Sequence, residues 1–127
     1  MQDFRGLDIY KRAIDYSMRI YRFSTQLPSD EKYGLVSQIK RAVSSIPLNI
    51  SEGTGCGTSK EFAVFVNSAY RSCNEVLTCL ELTTKLGLYE KGEEIEQLEN
   101  QGMELSRMIY AFLKKLASQT YNLSLRT

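Results

Sequence analysis

Between Leu7 and Leu27 the chain contains neither proline nor glycine, and its apolar residues return at intervals of three and four. One row comprises Leu7, Tyr10, Ile14 and Tyr21, and a second comprises Ile9, Ala13, Tyr16, Ile20, Phe23 and Leu27. That spacing follows the helical period and not the two-residue alternation of a strand, so it predicts a helix over residues 7–27. With Met18 added, the two rows sweep roughly 220° of the helical wheel, well beyond the ~100° stripe that a surface helix buries. The charged residues Arg5, Asp8, Lys11, Arg12, Asp15, Arg19 and Arg22 share the remaining arc. A helix with one wet and two dry faces is expected to bury its second apolar face in one of two ways. Either it is the central helix of its own domain, or it packs against another subunit.

Pro28 stops this helix, and Ser29 or Asp30 is placed to cap a second one over 30–53. Val36, Ile39, Val43, Ile46 and Ile50 supply its buried seam. Pro47 falls inside that seam, but Ile50 arrives on register, which predicts one helix kinked at the proline; two short helices broken there are the alternative. The run "GTGCGTSKEF" that follows resembles a phosphate-binding loop in its glycines and lysine. It has neither the G-x-x-x-x-G-K-[ST] order nor a preceding strand, so a helix stop and turn explain it better, with Thr58 and Glu61 as a capping box. A third helix is expected over 59–86, with Phe62, Phe65, Val66, Ala69, Cys73, Val76, Leu77 and Leu80 on one face and Gly87 ending it. A fourth over 91–120 buries Ile95, Leu98, Leu105, Ile109, Phe112 and Leu116. Four amphipathic helices joined by short loops predict an all-α fold: a single antiparallel up-down-up-down four-helix bundle over residues 1–127.

Composition narrows the function. The 127 residues include no histidine, which removes Ser-His and Cys-His pairs, imidazole metal ligands and a neutral-pH proton shuttle, so an enzyme is not expected. Cys56, Cys73 and Cys79 give an odd count without a C-x-x-C pair, which suggests neither a disulfide framework nor a metal site; Cys73 and Cys79 are expected in or near a reduced core. No apolar run approaches the roughly 18 residues that span a bilayer, and the N-terminus lacks a signal-peptide pattern, so a cytoplasmic protein is expected. No cofactor is implied.

Charge is segregated along the chain. Residues 1–50 carry a net +3, residues 51–104 a net −6 and residues 105–127 a net +4. The candidate nucleic-acid contacts are Arg5, Lys11, Arg12, Arg19 and Arg22 on the first helix, with Lys40 and Arg41 on the second. Asp8 and Asp15 stand among them, so a solvated ion-pair face is the competing reading. The acidic start of the fourth helix, "EKGEEIEQLE", is also suited to meet the basic helix of a neighbouring subunit.

Three stretches, "FRGLDIYKRA", "YGLVSQIKRAVSSIPLNISEG" and "SKEFAVFVNSAYRSCNEV", resemble the bacterial family of 23S rRNA intervening sequence proteins. The likeness covers roughly Phe4 to Leu116 and departs at Tyr10, where the family usually has tryptophan, and in the "GTGCG" turn. The resemblance implies a helical bundle that assembles as a ring-shaped homopentamer, related to accessory proteins of diversity-generating retroelements thought to bind nucleic acid. It carries no catalytic motif. Two functions are therefore expected to compete. One is a non-catalytic oligomeric bundle that binds structured RNA through its basic helix faces; the other is an interaction scaffold that recruits a protein such as a polymerase without RNA affinity of its own.

Overall fold

A computed structural model describes residues 3–31 and 34–126, with side chains as far as Gln119. Its elements are α1 (Asp8–Ser24), α2 (Leu35–Thr54), α3 (Ser59–Lys85) and α4 (Glu93–Arg126), preceded by short 3-10 turns at Phe4–Gly6 and Ser29–Glu31. No strand occurs among the described residues. Each helix packs on its neighbours in chain order, and α1 closes the ring against α4, leaving α1 and α3, like α2 and α4, on the diagonals. Paired residues run in opposite senses across each contact: Ser17 meets Val43 and Tyr21 meets Lys40, Gln38 meets Glu75 and Ser45 meets Ser72, Tyr70 meets Tyr110 and Asn74 meets Ser106, and Arg12 meets Glu104 where Arg19 meets Gln97. The fold is a four-helix bundle. α1 is thus not central, because only its Ile9, Ala13, Tyr16, Ile20 and Phe23 row enters the core.

The expected boundaries shift where local caps decide them. α1 ends at Ser24, before Pro28, and the chain continues through Leu27, which is buried. α2 starts at Leu35 and not at residue 30, because Ser29–Glu31 forms its own turn; the Leu35 amide is met by Glu31 Oε2 at 3.3 Å, so the capping carboxylate is Glu31 and neither Ser29 nor Asp30. Thr58 Oγ1 accepts from the Glu61 amide at 3.1 Å, one half of the expected capping box. At the end of α3, Gly87 adopts φ +73°, Leu88 N donates to Thr83 O and Gly87 N to Thr84 O, both at 3.0 Å. This is a Schellman closure, which needs a left-handed residue that glycine supplies without a Cβ penalty. α4 begins at Glu93 and runs on to Arg126, beyond the expected residue 120.

α2 passes through Pro47 without a break, so the two-helix alternative does not hold. A proline nitrogen cannot donate to the carbonyl four residues back, here Val43 O. Ser17 Oγ of α1 lies 3.2 Å from that oxygen and 2.7 Å from Ala13 O, so its single proton serves both acceptors. At the opposite corner, the Tyr16 hydroxyl donates to Leu98 O at 2.9 Å and Cys73 Sγ lies 3.3 Å from Gly102 O. Gly102 permits this convergence: a Cβ there would run into the Tyr16 hydroxyl and come within 2.8 Å of Leu77 Cδ2. Among the described residues, no buried side-chain nitrogen or oxygen lacks a hydrogen-bond partner.

Candidate nucleic-acid interface

The seven basic residues singled out by the sequence do not form one surface of equivalent cations. α1 turns its buried row inward, which places Arg12 and Arg19 at the edge facing α4 and Lys11 and Arg22 farther out. Arg12 Nη1 meets Glu104 Oε1 at 2.6 Å, with both side chains about half exposed. Arg19, half-buried, donates to Gln101 Oε1 and, at 3.5 Å, to Gln97 Oε1. Gln101 in turn donates to Asp15 Oδ2 at 3.1 Å. These two arginines therefore help hold α1 on α4. Arg5 stands in the first 3-10 turn, 3.7 Å from Asp3 and over the Phe4 ring, with its side chain largely exposed.

Four cations are left on α1 and α2, with Arg41 on the side of α2 toward α3, where its partner Gln38 reaches Glu75. Lys11, Arg22 and Arg41 are exposed, and Lys40 is half-buried with its Nζ 5.2 Å from the centre of the Tyr21 ring. Arg41 also donates to Gln38 Oε1 at 3.2 Å. Among the described residues, none of these four has a carboxylate within ion-pair distance. Beside them runs the second apolar row of α1. Leu7 of that row is buried and Tyr10 is packed against the core, but Ile14, Met18 and Tyr21 keep 38%, 51% and 42% of their surface exposed, so the bundle leaves the later part of the row uncovered.

The sequence reading left out a further group of cations that the fold collects. Arg107 and Lys114 stand on α4 beside Tyr110 and next to Tyr70 of α3. The signal was the +4 charge of residues 105–127 together with the helical spacing of Arg107, Tyr110 and Lys114; the neighbour on α3 was not readable from it.

The perturbed titrating groups lie away from these surfaces and do not resemble activated chemistry. Burial pushes the Cys73 thiol up to about 12 and also raises Cys79, whereas a nucleophilic thiol is one whose pKa is lowered. Burial likewise raises Tyr16, and a hydrogen bond to Glu94 raises Tyr89. Among the described residues no cluster of three or more cysteine and carboxylate side chains is arranged to hold a metal, and no helix is long and apolar enough to cross a membrane.

The family model of the 23S rRNA-intervening sequence protein matches residues 5–111. The chain belongs to this family. A solved structure similar to this chain is a protein of unknown function from the S23 ribosomal protein family of Bacteroides thetaiotaomicron. The two share 24% identity and a TM-score of 0.76, over 84% of this chain and 98% of that one. At that identity the likeness speaks for the bundle fold. Among curated proteins none matches the sequence.

Proposed function

We propose that this protein is a non-catalytic, oligomeric helical bundle that binds structured RNA through phosphate contacts from α1 and α2. The observation that carries this reading is the set Lys11, Arg22, Lys40 and Arg41, exposed or half-exposed and without carboxylate partners among the described residues. Such cations bind a phosphate backbone by releasing counterions, with little dependence on sequence. The uncovered Ile14, Met18 and Tyr21 row supports self-association, with a ring of five as the order implied by the family resemblance. Three free cysteines fit a reducing cytoplasm.

Arg12 and Arg19 are poor choices for a test, because reversing them disturbs the α1–α4 contact. The informative variant is Lys11→Glu with Arg22→Glu and Arg41→Glu, measured by retention of duplex ribosomal RNA fragments at low salt. RNA affinity is expected to fall sharply, and each cation lost lowers the salt slope by about one. Unchanged retention would reject the RNA reading. The second reading, a scaffold recruiting a protein partner, draws on the engagement of Arg12 and Arg19 within the bundle, which takes two of the seven candidate cations away from any RNA surface. It predicts an oligomer that ignores RNA at any salt.

A further inference from the structure

The outer groove between α3 and α4 changes character along its length. At one end it is lined by Leu77, Glu81, Glu96, Glu99, Lys91 and Met103, so negative charge prevails. At the other, Tyr70 of α3 faces Ser106, Arg107, Tyr110, Ala111 and Lys114 of α4 around an open groove of about 350 Å³ with no carboxylate in its lining. Arg107, Tyr110 and Lys114 follow one another at intervals of three and four, which sets them on one face of α4. The Tyr70 and Tyr110 rings are 5.5 Å apart at 40°, forming a two-ring wall. Tyr110 is 45% exposed, and Lys114 Nζ rests 5.4 Å from its ring centre. A cation held only on an exposed ring is held weakly and can move to a stronger acceptor. Among the described residues neither Arg107 nor Lys114 has a carboxylate at ion-pair distance. The Ser106 hydroxyl is directed to Asn74 Oδ1 at 3.4 Å.

We propose that this groove binds an unpaired nucleotide of an RNA strand, its base stacked on Tyr110 beside Tyr70 and the flanking phosphates met by Arg107 and Lys114. The proposal takes its ligand class from the RNA reading above but places it on a different face with different physics. An acidic peptide would satisfy the two cations and leave the rings unused, whereas a nucleotide offers a flat π-face and negative phosphates at neighbouring positions. Every base has such a face, so the groove tolerates sequence. Bases inside a duplex are already stacked on one another, so the site selects loops, bulges and ends.

The test compares binding of a fluorescein-labelled oligouridylate and of a blunt RNA duplex to the full chain at fixed low salt. Tyr110→Leu, a change at a half-exposed position, is expected to weaken oligouridylate binding about tenfold, the effect of losing one stacked base. It leaves duplex binding unchanged. Arg107→Gln and Lys114→Gln each lower the salt slope for the single strand by about one. The α1–α2 triple variant shows the converse, losing duplex and keeping oligouridylate. Tyr70→Leu serves as a second aromatic variant, with helical circular dichroism confirming that both aromatic variants fold. Oligouridylate binding equal to wild type in both tyrosine variants would overturn the proposal even where the duplex still binds. Equal competition by uridine monophosphate would also overturn it, since the groove would then take a free nucleotide and not a strand.

Discussion

Cys73 sits where α1, α3 and α4 meet, against the Gly102 carbonyl and near the Tyr16 hydroxyl. Burial raises its thiol from an ordinary 9.0 to about 12, so the folded chain holds this proton more tightly than the unfolded chain does. The stability this contributes is complete below pH 9 and is lost as the pH climbs from there through about 12. Tyr16 acts in the same direction, since burial raises its pKa from 10.0 as well. Urea unfolding is therefore expected to show stability falling with pH above 9. Cys73→Ala should make the fall shallower by up to one proton, about 1.4 kcal/mol per pH unit. An unchanged slope would mean that the thiol is not shielded. The burial of Cys73 and Cys79 was legible in the sequence, because both stand on or near the apolar face of a helix. The role of Tyr16 was not, since its row shows only that the ring is buried and its acceptor, Leu98 O, lies 82 residues away.

At the scale of the helix, Pro47 and Ser17 form a unit split between two elements. Periodicity was enough to predict that α2 continues past its proline, and the missing amide required compensation from somewhere. The donor is a hydroxyl on α1, 26 positions earlier in the chain, and no local pattern points to it. Ser17→Ala is expected to destabilise the protein by about 1 kcal/mol by leaving Val43 O poorly satisfied. In a Pro47→Ala background the restored amide reaches that carbonyl, and the same serine change should cost much less. A double-mutant cycle followed by thermal unfolding measures the coupling, and strict additivity would show that the two sites are independent. The boundary errors have a related origin. Ser29 and Asp30 looked like caps by residue type, but a separate 3-10 turn absorbs them and hands the cap to Glu31, a choice made by the path of the connection and not by propensity.

For the whole molecule, the bundle could be read from periodicity alone, because four amphipathic stripes have few other ways to be buried together. The candidate interface was legible only in part. A wheel groups Arg12, Arg19, Lys11 and Arg22 on one arc, yet the position of α4 decides which of them are used internally, and that is a tertiary fact. The same wheel did identify a second apolar row, of which the bundle covers Leu7 and part of Tyr10 and leaves Ile14, Met18 and Tyr21 exposed. If Ile14 and Met18 mediate self-association, Ile14→Glu with Met18→Glu should convert an oligomer into a species of the 14.5 kDa chain mass in light scattering, with helicity retained. A wild-type protein already at that mass would remove the oligomer from the proposal. The seam between α1 and α4 has its own consequence. Its polar side-chain pairs join residues 78 to 92 positions apart, whereas the other three contacts each join helices consecutive in the chain. Ring closure thus carries the largest loop entropy for the smallest of the four contacts. It is expected to close last in folding and to open first, so native-state hydrogen exchange should find the amides of α1 exchanging before those of α2 and α3, and equal protection of the three helices would rule this out.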